Sequence, residues 1–452
     1  MNLYQKIYYY GFVIVCVINF SPFKTLAYFS PFIFLGLLFL FTEEKPRIVL
    51  RGIYFLLISI ILFYIYYLTY PTFVIQNFLL AILTYSSFYP LFFVNQKKIA
   101  NKNLLNKMLK FSLIVFSLEA FWSLVQAVYG FYKRGYFFSD SGDFVEGTIH
   151  PQLSAEMAFS NPMFAVNMAI LLLGVLILIK LYKTNVKIGF ILGVLSLLLA
   201  SVIHVIIFFV IAVLISAIIF YKNKLLRFSF LKLNWRFSSY VLTGIISTVI
   251  VVLIFNRREQ IVNIGKQYLL NEVPRAIVTN SLFSEIIPEN IEVIFIGLGP
   301  GQFSSRASLI GSGNYLGGID NPKSVPFLKS RSNYFSDTYV IAQIEATADI
   351  KYFGSSQQPF YSWLSIISEF GIIAFIFVIC FVIYLIKKLK IESEKKTDKR
   401  YLSFITSTGI VFIFFLGIQE NYYEIPQAIF NGILLLLVMY ANVVYSSNEF
   451  EK

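Results

Sequence analysis

Apolar residues fall in runs of about 17 to 25 positions from one end of the chain to the other, separated by short polar connections. Runs of that length match the roughly 20 residues with which an α-helix crosses the hydrocarbon core of a bilayer. One long polar stretch, residues 257–358, interrupts the rhythm. The pattern predicts helices near 5–21, 26–42, 49–69, 72–94, 108–130, 163–181, 188–202, 204–221, 238–256, 360–386, 401–418 and 425–445. The expected fold class is an all-α polytopic membrane protein with twelve spans and one large loop domain. Residues 1–256 hold the first nine spans and a short loop at 131–161. Residues 257–358 form the large loop, and 359–452 hold the last three spans and a tail.

Residues 188–221 are the ambiguous stretch, apolar for 34 positions. As one helix they would extend about 51 Å, well beyond a roughly 30 Å core. A helical hairpin turning near Ser201–His204 fits better.

Charge then orients the bundle. Lysines and arginines concentrate in alternate loops: Lys45/Arg47/Arg51, Lys97 to Lys110, Lys180/Lys183/Lys187, Lys222 to Arg236, and Lys387 to Arg400. The intervening short loops carry few. The positive-inside rule places the basic set, and with it both termini, in the cytoplasm. The 257–358 insert is then extracytoplasmic. The net charge of +13 is accounted for by this alternation and implies no nucleic-acid partner.

Composition agrees with a bilayer as the chain's surroundings. Hydrophobic residues make up 58% and charged residues 13%, against about 25% charged in a soluble domain. Cys16 and Cys380 both lie in apolar runs and offer neither a disulfide framework nor a metal spacing. No small-residue cleavage site follows the first apolar run, so it is expected to stay as a helix.

The insert has its own organisation. Residues 259–286 show helical character, Pro288 breaks it, and Gly297-Leu-Gly-Pro-Gly301 must turn sharply. Nine basic residues are balanced by nine acids, so no general electrostatic funnel is expected. Any anion bound here needs particular arginines in a particular geometry.

Three segments then line up with a known pattern. They are Pro274-Arg275-Ala-Ile, then Ile296-Gly297-Leu-Gly299-Pro-Gly301-Gln-Phe303, then Trp363-Leu-Ser-Ile-Ile-Ser-Glu369-Phe-Gly371-Ile-Ile. Upstream come Gly147-Thr148 and Asn161-Pro162-Met-Phe-Ala165. In this order the segments resemble the O-antigen polymerase and ligase superfamily. The resemblance covers roughly residues 110 to 390. Members of the ligase branch carry a His before the Glu-x-Gly pattern. Here that stretch reads Ser355-Ser-Gln-Gln358 and has none, which favours a polymerase. The arginine that often follows the hairpin serine is also missing, and His204 is the nearest ionisable group.

The resemblance implies a fold like the C-type glycosyltransferases in the bacterial inner membrane. It implies transfer of a growing glycan from an undecaprenyl diphosphate carrier to a lipid-linked repeat unit. Its implied partners are the undecaprenyl diphosphate-linked oligosaccharide, the lipid bilayer and a chain-length regulator protein. The leaving diphosphate gains negative charge, which a guanidinium suits through bidentate, permanent donors. No metal or cofactor is demanded: there is no HExxH, no Cys/His cluster and no lysine-bearing phosphate loop after Gly301.

The residues expected to take part in catalysis are Arg275, Glu369, Glu119, Asp143 and Glu146. Arg275 and Glu369 hold family positions. Glu119 is an acid in mid-span, costly there unless partnered. Asp143, Glu146 and His150 form the polar part of the short loop and include a possible general base for the acceptor. The residues expected to bind substrate are Arg257, Arg258, Gly297, Gly299, Gly301, Arg306, Arg331 and His204. Against each stands an ordinary reading: arginines snorkelling at a helix end, glycines allowing a turn, His204 resting at an interface. A ligase and a lipid-linked oligosaccharide flippase are the alternative functions. No internal repeat between the halves favours a transporter.

Overall fold

The computed structural model describes residues 1–135, 145–153, 163–182, 187–200, 202–221, 258–314, 323, 329, 331, 333–346, 359–395 and 397–446. These residues form helices and turns and contain no strand. In chain order come α1 Leu3–Asn19, α2 Lys24–Phe41, α3 Lys45–Thr69, α4 Ile75–Thr84, α5 Tyr89–Phe93, α6 Gln96–Ile99, α7 Lys102–Arg134, α8 Met163–Leu181, α9 Lys187–Leu199 and α10 Ile203–Tyr221. The insert contributes α11 Arg258–Leu269, α12 Pro274–Ser281, α13 Val293–Ile296 and α14 Arg306–Ser312. The chain closes with α15 Ser362–Phe370, α16 Ile372–Lys395, α17 Thr397–Leu416 and α18 Pro426–Tyr445.

Seven of these, α3, α7, α8, α10, α16, α17 and α18, are long and apolar enough to cross a membrane. Helices α2 and α9 are apolar but shorter. Two of the twelve expected spans are divided in the structure. The run 72–94 is not one helix: α4 ends at Thr84, a 3-10 turn follows at Tyr85–Phe88, and α5 starts at Tyr89 with Pro90, which has no N–H to give, as its second residue. The run 360–386 is divided at Gly371, whose φ of +92° breaks the helix into α15 and α16. A Cβ at Gly371 would sit 2.8 Å from the Phe295 carbonyl carbon, so the break also lets the insert approach the bundle. The expected span 238–256 lies outside the described residues.

The direction of each helix follows from its neighbours. Helix α8 runs against α7, with Gly174 beside Leu109 while Phe164 and Glu119 meet at Gly147. Helix α17 runs against α8, with Gly409 beside Leu173 and the Tyr401 hydroxyl on Leu176 O. Helix α9 runs with α7, its Ser196 hydroxyl reaching Ala120 O, while α10 runs against α17 through Phe209–Phe412 and Tyr221–Phe404. The chain has therefore reversed between Leu199 and Ile203, as a hairpin requires. Its two arms pack on different partners.

Helix α18 is buried along most of its length and forms the central post. Around it Tyr8, Phe12, Phe116, Phe164 and Phe412 join its own Phe430 in one apolar core. Polar side chains set the register inside it. Asn19 Nδ2 donates to Asn431 Oδ1 at 3.1 Å, Asn431 Nδ2 to Asn167 Oδ1 at 3.3 Å, and Asn167 Nδ2 to Gln427 O at 2.7 Å. Such interhelical bonds in a membrane interior average about 0.6 kcal/mol each, so they specify position more than they add stability.

The two ends of the bundle are chemically different. At one end Gln5 bonds Lys98 O, Tyr182 bonds Lys102 O, and the Lys399 ammonium donates to Val443 O and Ser446 O. Lys98 pairs there with Glu44 at 2.6 Å. At the other end sit Asn19, His204, Leu416 and Pro426, and the insert docks there. A second apolar core joins the insert to the end of α3 and to α15, through Tyr66, Tyr70, Val278, Val293, Phe303 and Leu364.

Candidate functional site

Arg275 is the second residue of α12. Pro274, at the first helical position, fixes φ where no intrahelical bond is lost. Helix α12 presses its side of the insert against the bundle, and Arg275 is only 3% exposed. The guanidinium lies 5.3 Å from the ring centroid of Tyr361, the residue that precedes α15. It also bonds the Tyr268 hydroxyl of α11. Thr279 ties the group together, donating to Arg275 O at 2.7 Å and meeting the Tyr361 hydroxyl at 3.1 Å. Burial raises the Tyr268 and Tyr361 phenols, with the Arg275 charge opposing the shift. Both therefore stay protonated and can donate hydrogen bonds. His204, at the head of α10, lies within the electrostatic reach of Arg275. Its Nε2 and the buried Tyr422 hydroxyl are 2.8 Å apart. A cation, an imidazole and three phenols thus gather where the insert meets the bundle. Such a set of donors suits a polyanion.

The glycine turn and Glu369 meet as well. Gly297, Gly299 and Gly301 all adopt positive φ. Leu298 N donates to Ser368 O and Gly299 N to Glu369 O, at 2.8 and 3.0 Å. The Glu369 carboxylate accepts from Gly301 N at 2.6 Å and from Phe303 N and Ser305 N at 3.0 Å. The turn is thus wrapped around a side chain of α15. Its N–H groups are already paired within the protein, so it has no open cradle for a phosphate. At Gly301 the requirement is doubly strict: φ is +79°, and a Cβ would stand 2.2 Å from Asn77 O.

A second carboxylate continues the clamp. Glu424, just before α18, accepts from Arg306 N at 2.6 Å and from the Tyr85 hydroxyl at 3.3 Å. Burial lifts Glu369 to about 7 against the pull of its backbone donors. Burial lifts Glu424 to about 8, with the nearby Glu369 charge adding to the shift and Arg306 opposing it. Arg306 is buried and faces Glu424, an inward position rather than one open to a ligand.

The remaining sequence candidates are distributed differently. Glu119 accepts from Thr148 N at 2.8 Å and from the Thr148 hydroxyl, while Gln126 Oε1 accepts from Glu146 N and Gly147 N. The mid-span acid is thereby partnered, and it holds the Gly147-Thr148 segment against α7. Glu146 is buried, with His150 Nε2 at 3.6 Å from its carboxylate. Arg331 is exposed, its backbone N bonded to Gly311 O. Arg258 opens α11, and Arg257 and Asp143 lie outside the described residues. The sequence reading passed over Glu424, Tyr268, Tyr361 and Tyr422. The tyrosines gave no signal because 30 of them occur along the chain. Glu424 had one: it is an acid in a short connection between two apolar runs, directly before Ile425-Pro426.

The fold and site define an all-helical protein whose apolar helices suit a membrane, with a polar insert seated on one end of the bundle. Comparison of the chain with protein-family models, with curated proteins and with solved structures finds no match.

Proposed function

We propose that the protein is a glycan polymerase of the O-antigen polymerase kind, working in a bacterial inner membrane on an undecaprenyl diphosphate-linked glycan. The observation that supports this reading best is the seat of Arg275. A buried arginine from the insert is brought together with the half-buried His204, Tyr268 and Tyr361 at the end of the apolar bundle. A lipid-borne diphosphate would present its charge at that level. In the reaction the acceptor hydroxyl oxygen bonds to the donor's anomeric carbon. The bond from that carbon to the diphosphate oxygen breaks, and the electron pair leaves with the diphosphate. Arg275 and the phenols stabilise the charge that develops there. The acceptor's proton passes to a general base supplied by the polar group Asp143, Glu146 and His150 of the short loop.

Loss of the protein should leave glycans one repeat unit long, still transferred to their final acceptor. Electrophoresis of the surface glycan reads this directly. Long polymers stranded on the carrier lipid would instead assign a ligase.

The same reading puts the insert outside the cytoplasm and both termini inside. The clustering of Lys98, Lys102 and Lys399 at the end opposite the insert supports it. A reporter active only outside the cytoplasm should work when fused after Ser312 and fail after Lys396. Activity after Lys396 would invert the topology.

A further inference from the structure

Part of the polar insert carries apolar side chains outward. Ile291 is 66% exposed and Phe295 59%, while Val293 between them is buried in the second core. The segment is thus two-sided, with one face packed inward and the other unpartnered.

Its position is set by the outermost turns of two spans. The Tyr66 hydroxyl of α3 donates to Ile296 O at 2.7 Å, and the Tyr70 hydroxyl to Gly297 O at 2.9 Å. On the other side Gly371, from which α16 starts, lies against the Ile294 and Phe295 carbonyls. Helix α13 is therefore pinned at the level where α3 ends and α16 begins. Those two spans bury almost none of their apolar length within the protein. Near the junction α16 exposes Ile373, Ile376 and Phe377, and α3 exposes Tyr64, Tyr67 and Leu68. In a membrane these side chains meet acyl chains. The outward face of α13 continues that surface, with the exposed Glu289 and the half-buried Glu292 on its polar border. Aromatic side chains at such a border favour the headgroup and upper acyl level of a bilayer.

We infer that Ile291 and Phe295 insert among the acyl chains of the membrane leaflet on the insert's side, anchoring the insert in the lipid surface between α3 and α16. The occupant is lipid, because the surface that α13 extends is the lipid-facing surface of two spans. The inference does not depend on which reaction the protein performs.

Depth-dependent quenching tests it on the full chain in phosphatidylcholine nanodiscs. The native Cys380, exposed on α16, labelled with a bimane fluorophore, supplies the lipid-facing reference. Cys16 is buried and stays unlabelled. In a Cys380→Ser background, Phe295→Cys and Ile291→Cys carry the label in turn, and Lys323→Cys, at an exposed position, supplies the aqueous reference. Lipid bearing a nitroxide high on its acyl chain should quench the labels at 295 and 291 several-fold more than the label at 323, and at least as strongly as the label at 380, which lies about 12 Å deeper along α16. Aqueous iodide should show the reverse order. Iodide quenching at 295 and 291 equal to that at 323 would overturn the inference. Protection from both quenchers would overturn it too, by showing that protein rather than lipid covers the face. The label at 291 gives an independent reading should the change at Phe295 disturb α13.

Discussion

Arg275→Ala should lower glycan extension by about a hundredfold to a thousandfold while the protein still accumulates in the membrane. This is the effect of removing one aimed, charged donor from a developing anion, about 3 to 4 kcal/mol. Arg275→Lys should remain strongly impaired. An ammonium is a point charge and cannot reproduce the planar fork, its contact with the Tyr361 ring and its bond to Tyr268 at once. The assay is polymer length from purified protein and lipid-linked repeat units. Near-normal length from the alanine variant would remove Arg275 from the reaction and leave the polymerase reading without its best support.

Glu369→Ala should act through folding rather than chemistry. It strands the N–H groups of Gly301, Phe303 and Ser305 in a buried turn. A buried donor without a partner costs about 1 to 3 kcal/mol, so three together approach the whole stability of about 5 to 15 kcal/mol typical of a domain. The alanine variant should fail to accumulate. Glu369→Gln keeps one carbonyl oxygen for these donors and should accumulate at an intermediate level. Normal accumulation of the alanine variant with complete loss of activity would instead make Glu369 catalytic. The same pair predicts a pH effect. Glu369 at about 7 and Glu424 at about 8 both lie above the roughly 4.3 of an unfolded glutamate. A raised acid favours the fold while protonated. This contribution is complete below about pH 4 and is lost as pH rises through about 7 to 8. Purified protein should thus melt at a lower temperature at about pH 8.5 than at about pH 6, and Glu369→Gln should flatten the difference.

The residues that sequence reasoning found are those whose constraint is local. Long apolar runs locate α7, α8, α10, α17 and α18 because hydropathy is a property of a single segment. Gly297 to Gly301 and Glu369 drew attention separately as motif positions, and they prove to be two halves of one contact. Breaks inside an apolar run were harder to see. The chain from Ile75 to Phe93 stays hydrophobic while it turns, since its bends come from Tyr85–Phe88 and Pro90 and not from polarity. Least legible was the clustering at Arg275. Tyr268, Tyr361 and Tyr422 come from three distant stretches, and only the docking of the insert makes them neighbours. Glu424 belongs with them: its meaning depends on Arg306 N, which lies 118 positions away.

The asparagine register also bears on how the protein is made. Asn19 is synthesised 412 positions before its partner Asn431. The Tyr8 hydroxyl likewise reaches Leu434 O, 426 positions on. During translation α1 therefore enters the bilayer with its polar groups waiting for a helix that does not yet exist. Until α18 arrives, Asn19 keeps the Ser30 hydroxyl of α2, which donates to its Oδ1 at 3.1 Å, and the remaining groups must be satisfied by lipid headgroups, by water or by an assisting protein. Insertion of α18 is then the step that completes this polar register.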